Sequence, residues 1–411
     1  MRIAVREQRQ ADAVVRTATY TLAEGPASVS YRIAGEALPP SLTAYDFAVV
    51  AALYVAMREG RPVHVEGPVT AALLRNAAEF QEIWALWQPK RRRVQITADQ
   101  VVPAEASDVR RGVFAVSGGV DGIYALLKHH SGHADVRTVR PVCAMLVHGF
   151  DIPLREQRAF DHARDRIAAM TRPLGVPLTT VETNWRDVLG RDWGMDCQAA
   201  LASCLLQFRG MANVGICGAA EDYGKIIVPL GCNPVTNHLM SGGGFDIVTE
   251  GGAVTRSRRV RFLCDYPQIA ARLRVCWEGP FTGGNCGRCE KCIRTKLSFM
   301  AVGSAPLCFD RPPTLSEIFS IRVRSPIHIH FLREILQTAA DNGIDEPWMT
   351  ALRLAVARNR VAQLGRSVTR RIGGKIKSLY AAPATKADAR RARGLATTWP
   401  ARRPRPTGDS G

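Results

Sequence analysis

The segment Ser117–Gly122, with the sequence Ser-Gly-Gly-Val-Asp-Gly, constrains the fold of this chain more than any other feature. It follows the apolar run Val113–Val116, which predicts a short buried strand, and precedes Ile123–Lys128, which predicts the first turns of a helix. A glycine turn between a strand and a helix directs backbone N–H groups at an anion. Two adjacent glycines also let the backbone approach a phosphate without an intervening Cβ. The segment therefore predicts a nucleotide phosphate site.

Two common phosphate-binding motifs are excluded at this segment. No Gly-Lys-Ser/Thr follows the glycines, which excludes a Walker loop, and the Gly-x-Gly-x-x-Gly spacing of a dinucleotide fold is absent. The remaining alternative to a phosphate site is an ordinary glycine turn between a strand and a helix.

Strands and helices alternate from about Gly112, which predicts an α/β fold with a doubly wound parallel sheet. The predicted strands are Val113–Val116, Arg140–Val147, Leu178–Glu182, Asn213–Cys217 and Ile226–Val228. The predicted helices between them cover residues 122–130, 155–172 and 196–211. Ligands of such sheets bind at the carboxyl ends of the strands.

Three further residues are candidates for that edge of the sheet. Asp151 follows the second strand, where a carboxylate can bind Mg²⁺ or an amine, or can cap a helix. Asn184 follows the third strand and offers both a donor and an acceptor to a base or substrate, with helix capping as the alternative. Arg256 is a candidate to grip a phosphate or carboxylate, or is a solvated surface arginine.

Four cysteines near the end of the α/β region have the spacing of a metal site. Cys276, Cys286, Cys289 and Cys292 lie within 17 residues, which suits a closed tetrahedral Zn²⁺ site with a structural role. An iron–sulfur cluster is the alternative, because four cysteines alone do not separate the two. Disulfides are not expected, because no secretory signal is visible and the other seven cysteines are scattered.

Taken together, these motifs carry a resemblance to a known family. The Ser117–Gly122 segment resembles the PP-loop, Ser-Gly-Gly-x-Asp-Ser, of the N-type ATP pyrophosphatases, with Gly122 in place of the final serine. The cysteine pattern is similar to that of 7-cyano-7-deazaguanine synthases, where it binds zinc. The resemblance covers roughly residues 40–300 and implies a PP-loop fold of the HUP type. Members of the family cleave ATP to AMP and pyrophosphate while adenylating a substrate oxygen.

The resemblance also implies roles for individual residues. It assigns a catalytic role to Asp121, and Asp151 and Arg256 are the further predicted catalytic residues, with Mg²⁺ brought by ATP. The predicted ATP-binding residues are Ser117, Gly118, Gly119, Val120, Asp121 and Gly122 of the motif, with Asn184 from the third strand end. A nitrogen nucleophile would then displace AMP from the adenylated carboxylate or amide. A separate protein that donates ammonia is a candidate partner.

The charge of the chain is concentrated at one end. Residues 351–411 hold fifteen Lys or Arg and two acids, and so carry +13 of the net charge of +18. The composition after about Ala381 predicts disorder. Such a tail could hold RNA or an anionic surface weakly, and a solvated tail without a partner is the alternative. We expect a cytoplasmic protein, since no signal peptide or membrane-spanning run is visible.

The sequence predicts a division of the chain into four parts. Residues 1–110 are expected to form a small α+β domain, with strands Val29–Ile33 and Pro62–Glu66 and helices Ser41–Met57 and Val69–Trp87. Residues 111–300 form the ATP pyrophosphatase domain with the zinc knuckle. Residues 301–365 form a C-terminal helical segment, and residues 366–411 a basic, disordered tail.

The expected function is that of an ATP-dependent ligase that amidates a carboxylate or amide. Two alternatives stay open on the sequence alone. One is an amidotransferase of related layout that acts on a sugar or a protein terminus. The other is a non-catalytic nucleotide-binding module, which the replacement of the motif's final serine by Gly122 favours.

Overall fold

The computed structural model describes residues 1–103, 109–276, 281–323 and 326–380, without the side chains of residues 326 and 364–380. The strands in this part are β1 (Arg2–Arg9), β2 (Ala13–Leu22), β3 (Gly25–Gly35), β4 (Val63–Thr70), β5 (Ile96–Val102), β6 (Arg111–Ala115), β7 (Arg140–His148), β8 (Leu178–Thr183), β9 (Val214–Gly218) and β10 (Asp246–Glu250). The helices are α1 (Asp46–Glu59), α2 (Ala71–Trp87), α3 (Val120–His130), α4 (Gln157–Thr171), α5 (Trp185–Val188), α6 (Trp193–Leu205), α7 (Arg256–Cys264), α8 (Pro267–Ala270), α9 (Glu290–Ala301), α10 (Leu315–Phe319), α11 (Pro326–Asp341) and α12 (Pro347–Tyr380).

These ten strands form one mostly parallel sheet in the order β10-β9-β6-β7-β8-β3-β2-β1-β4-β5. The five strands from β10 to β8 in this order are parallel to one another. Strands β8, β3, β2 and β1 pair antiparallel, and β1, β4 and β5 pair parallel. The chain therefore has an α/β fold.

Helices pack on both faces of the sheet. Because successive residues of a strand point to opposite faces, neighbouring residues of one strand pack against different helices. In β6, Val113 packs in the core that contains α1, α2 and α6, whereas Phe114 packs in the core that contains α3, α4 and α7. In β7, Cys143 and Ala144 divide in the same way. Strands buried on both faces explain the continuous apolar runs of the sequence.

The strand order reverses beside β6. The chain passes from β6 through α3 to β7 on one side, and later returns through α6 to β9 on the other side. Such a reversal opens a crevice at the carboxyl ends of the strands. The segment Ser117–Gly122 lies directly at this crevice.

The N-terminal strands continue the same sheet. Strand β3 pairs with β8 from Tyr31 opposite Thr183 to Gly35 opposite Thr179, so the sheet runs across residue 110 without a break. One compact unit spans Met1–Ala357, and a second begins at Arg358. The finer division of the first unit stays a prediction.

The structure differs from the sequence expectation in several elements. The predicted strand Ile226–Val228 is wrong, because these residues form an exposed loop in which no strand is present. Helix α12 continues to Tyr380, through residues predicted to be tail. Four of the strands, namely β1, β2, β5 and β10, were not predicted from the sequence. The disorder predicted after about Ala381 lies outside the described residues.

No helix in the described ranges is both long enough and apolar enough to cross a membrane.

Candidate functional site

A cavity of about 280 Å³ opens at the crevice beside β6. The segment after β6 contributes Ser117, Gly119, Asp121 and Gly122 to its lining, and the segment after β7 contributes Asp151. Residues that are far apart in the sequence therefore meet at the position where open α/β sheets bind their ligands.

The glycine turn after β6 leaves a helix N-terminus open to the cavity. Gly118 has a φ of +81°, in the left-handed region that favours glycine. Gly119 is the N-cap of α3 and carries no side chain that could accept from the first helical N–H groups. Because those groups have no partner inside a helix, they are available to an anion.

The close packing of α3 on the sheet requires glycine at two further positions. A Cβ on Gly122 would lie 2.7 Å from the carbonyl oxygen of Ala115 in β6. A Cβ on Gly218, at the end of β9, would collide with the backbone of Asp121 and Gly122. The backbone at the start of α3 thus lies directly against β6 and β9, and a side chain at position 122 would not fit without a shift of this backbone.

Asp121 forms two ion pairs with α7. One carboxylate oxygen accepts from Nη1 of Arg256 at 2.6 Å, and the other accepts from Nη1 of Arg259 at 2.7 Å. Burial opposes ionisation, but these two guanidinium groups lower the pKa of Asp121 to about 2. Asp121 is therefore a carboxylate that orients two arginines.

Arg256 presents unused donors beside the glycine turn. It lines the cavity and is buried, and its Nε and Nη2 have no hydrogen-bond acceptor within the described ranges. Buried guanidinium N–H groups without acceptors are costly, so they favour the binding of an anion. Arg256 is suited to a phosphate or carboxylate, because its planar fork presents several donors.

Asp151 lies at the carboxyl end of β7 and is half-buried. It lines the same cavity as Asp121 and Arg256. Its negative charge acts on two cations of the cavity lining, Arg274 and Lys291. The structure thus brings the three residues predicted for catalysis to one cavity.

The remaining residues predicted to bind ATP divide into two groups. Val120 is the first residue of α3 and its side chain is buried in the core, so only its backbone faces the turn. Asn184 lies away from the cavity lining. Its Oδ1 accepts from the N–H of Ser30 at 2.9 Å, and its Nδ2 donates to the carbonyl of Ser28 at 3.1 Å. Asn184 therefore joins the end of β8 to β3.

The four predicted metal ligands form a cluster. The Sγ atoms of Cys276, Cys286, Cys289 and Cys292 lie within 4.8 Å of one another. Hydrogen bonds from the other thiols lower the pKa of Cys289 to about 5, which favours a thiolate. Four sulfur ligands at this separation suit a metal such as zinc.

Two cations of the cavity were not predicted from the sequence. Arg274 precedes Cys276 by two positions, and Lys291 lies between Cys289 and Cys292 in the first turn of α9. Both line the cavity. Burial lowers the pKa of Lys291, and the charge of Asp151 opposes this effect. For Lys291, its position between Cys289 and Cys292 was the available signal.

Three isolated cysteines, Cys197, Cys217 and Cys232, also line the cavity. Burial raises the pKa of Cys197 to about 12 and raises the pKa values of the other two. The side-chain amide of Gln198 donates to Sγ of Cys217 at 3.3 Å. These groups are protonated thiols at neutral pH, and so they resemble small apolar side chains more than nucleophiles.

A second cavity of about 670 Å³ adjoins the first. Phe150, Asp151 and Trp193 line both cavities. Arg186 lines the second cavity, where its guanidinium stacks on Trp193 at 4.7 Å and donates to the carbonyl of Phe150 at 2.6 Å. The wall between the two cavities therefore combines aromatic rings with one carboxylate.

Comparisons with known proteins return nothing: no protein-family model matches the chain, and no match appears among curated proteins or solved structures.

Proposed function

We propose that the protein is an ATP-dependent ligase of the ATP pyrophosphatase type. The observation that carries this proposal is the convergence of a glycine turn, the N-terminus of α3 and the unused donors of Arg256 at one cavity. This combination complements a polyphosphate. The resemblance of Ser117–Gly122 to the PP-loop supports the same conclusion and extends it to the PP-loop fold.

The phosphate end of ATP would bind at the glycine turn. The N–H groups of the first turn of α3 and the hydroxyl of Ser117 would donate to phosphate oxygens. Arg256 would add a charge-assisted donor, oriented by its ion pair with Asp121. Preorganised donors of this kind stabilise the charge that develops on a leaving pyrophosphate.

Mg²⁺ brought by ATP would supply a further counter-charge for the phosphates. Asp151 is the better carboxylate for holding it, because both oxygens of Asp121 already accept hydrogen bonds from arginines. Zinc at the four cysteines would have a structural role, because four thiolates leave no open coordination position.

The second cavity would hold the acceptor substrate. A carboxylate or amide oxygen of that substrate attacks the α-phosphorus, the bond between the α-phosphorus and the bridging oxygen breaks, and pyrophosphate leaves. A nitrogen nucleophile then attacks the acyl carbon and AMP leaves. Phe150, Asp151 and Trp193 would lie beside the reacting groups, because they line both cavities.

Analysis of the nucleotide products tests the proposal. We expect AMP and pyrophosphate from ATP in the presence of a metabolite pool, with exchange of labelled pyrophosphate into ATP. Arg256→Met should abolish both. Arg261→Met is the matched control on α7, because Arg261 is exposed and pairs with Asp265. ADP as the main product would contradict the proposal.

A second candidate is a non-catalytic nucleotide-binding module. The pairing of both Asp121 oxygens with arginines favours it, because that carboxylate is then not free to bind Mg²⁺ or a substrate. ATP binding without exchange under any of these conditions would support this candidate over the ligase.

A further inference from the structure

Two cations of the first cavity belong to the segments that carry the cysteine cluster. Arg274 lies two positions before Cys276, and Lys291 lies between Cys289 and Cys292. Both side chains line the cavity that contains the glycine turn. The two charges at this cavity are therefore close in sequence to the cluster cysteines.

Several hydrogen bonds fix the segment that contains Arg274. Its backbone N–H donates to the carbonyl of Gly118 at 2.8 Å, which joins it directly to the glycine turn. The side chain of Asn285 accepts from the N–H of Val275 at 2.8 Å and donates to the carbonyl of Leu273 at 2.8 Å. The same side chain accepts from the N–H of Cys276 at 3.3 Å. The segment is thus bound to the cluster on one side and to the turn on the other.

The side chain of Arg274 is buried, and its Nε has no acceptor within the residues that the structure describes. It shares this property with Arg256. A buried guanidinium with an unused donor beside a helix N-terminus favours an anion.

Lys291 is fixed by α9. Cys289 is the N-cap of this helix and Cys292 lies in its first turn, so two of the four sulfur atoms flank the lysine. A metal bound by these sulfur atoms would fix the rotation of the first turn of α9. That rotation decides whether Lys291 faces the cavity.

The charges around the cavity complement a diphosphate. The cations of its lining are Arg256, Arg274 and Lys291, against the carboxylates of Asp121 and Asp151. Asp121 is already paired with two arginines, one of which lies outside this lining. A ligand with two adjacent anionic groups would supply acceptors to several of these donors at once.

We propose that Arg274 and Lys291 bind the diphosphate of the nucleotide or the released pyrophosphate, and that the metal at the four cysteines holds both residues in place. This inference rests on the proposed function and names the cations that bind its leaving group. The cysteine cluster then controls the anion site although no cysteine of the cluster needs to touch the nucleotide.

Calorimetric titration of inorganic pyrophosphate into the full-length, zinc-loaded chain tests the two ligands. We expect Arg274→Met and Lys291→Met each to raise the Kd for pyrophosphate at least ~10-fold, because each removes a charge-assisted contact. The matched controls are Arg272→Met and Lys90→Met, which change exposed cations and should leave the Kd within about twofold. Unchanged affinity in both cavity variants would overturn the assignment.

Metal removal tests the positioning. Chelation should weaken pyrophosphate binding at least ~10-fold, and added Zn²⁺ should restore it. Asn285→Ala should weaken binding while the zinc content stays at one per chain, because it loosens the segment of Arg274 with the cysteines intact. Full affinity in a folded, metal-free chain would overturn the positioning role. If the metal-free chain unfolds, unchanged affinity in Asn285→Ala would overturn it.

These results separate the inference from the proposed function. Weakened pyrophosphate binding in the two cavity variants, without AMP formation by the wild-type chain, would support the inference and reject the ligase. AMP formation by the wild-type chain, with unchanged pyrophosphate binding in the two variants, would support the ligase and reject the inference.

Discussion

At the residue scale, Asp121 is the residue on which the site most depends. Asp121→Asn keeps the shape of the side chain and removes the charge that balances Arg256 and Arg259. We expect turnover to fall at least ~100-fold with the fold retained, because misplaced charges in a site commonly cost a few kcal/mol in the transition state. Steady-state kinetics and circular dichroism measure the two effects.

The control for this change is Asp265→Asn, which removes an exposed partner of Arg261. Its rate should equal that of the wild type. An unchanged rate in Asp121→Asn would show that Asp121 acts only in the local structure at the start of α3.

The carboxylates of Asp121 and Glu250 contribute to the stability of the protein in acid. Asp121 and Glu250 both have a pKa of about 2; burial opposes ionisation of Glu250, but hydrogen bonds from His129 and Lys128 prevail. Groups with a lowered folded-state pKa stabilise the protein above their ordinary pKa, and this contribution is lost as the pH falls through the lowered value. We therefore expect the free energy of unfolding to fall steadily from about pH 5 towards pH 2.

Denaturant unfolding at a series of pH values measures this slope. Glu250→Gln should reduce the slope, because it removes one of the carboxylates whose pKa the fold lowers. A slope equal to that of the wild type in this variant would contradict the role of Glu250.

The sequence predicted much of the site because its motifs are local. Ser117–Gly122 and the four cysteines carry their geometry in their spacing, and Asp151 follows from the end of a predicted strand. The role of Arg274 could not be predicted in this way. Its contact with the glycine turn joins residues 157 positions apart, and only the folded chain brings them together.

At the scale of the elements, the contact between α3 and the sheet limits the glycine turn. Gly122→Ser would introduce the serine of the PP-loop motif that Ser117–Gly122 resembles. It would also place a Cβ 2.7 Å from the carbonyl oxygen of Ala115. We expect a lower melting temperature, with a loss of about 1–3 kcal/mol from overpacking, and no gain in activity. Thermal unfolding and the exchange assay measure both.

Gly284→Ala is the control for this substitution, because the nearest atom to its added Cβ is Oγ1 of Thr282 at 3.7 Å. Its melting temperature should stay close to that of the wild type. Higher activity in Gly122→Ser without a loss of stability would show that the start of α3 can move away from β6.

Elements whose own residues carry a clear periodic pattern were predicted better than the others. The helices α2, α3 and α4 were predicted close to their observed bounds, because their apolar residues recur at helical spacing. Strand β10 was not predicted, because it is only five residues long and lies at an edge of the sheet. The apolar run Ile226–Val228 was predicted as a strand because composition alone does not show that its residues are exposed.

At the scale of the whole molecule, a buried ion pair joins the N-terminal and central parts of the sequence. Nη1 of Arg209 lies 3.3 Å from Oδ2 of Asp46, and both side chains are buried. Arg209→Met would leave a buried carboxylate without this partner, which typically costs 3–5 kcal/mol. We expect a loss of about this size in the free energy of unfolding, measured with urea.

Arg110→Met is the control, because Arg110 and Asp246 form an exposed pair worth about 1 kcal/mol or less. A loss in Arg209→Met as small as that of the control would show that this ion pair contributes little to holding the two parts together.

The basic C-terminal tail is not expected to take part in the chemistry at the first cavity. In the part of the chain that the structure describes, the residues that line the first cavity run from Ala115 to Lys291. Truncation after Tyr380 should therefore leave the kcat and KM of ATP–pyrophosphate exchange within about twofold of the full chain, because a tail of this composition buries little. It should also reduce retention on an RNA column in a salt-dependent way, since it removes several phosphate-binding cations. Loss of exchange at saturating ATP would show instead that the tail completes the active site.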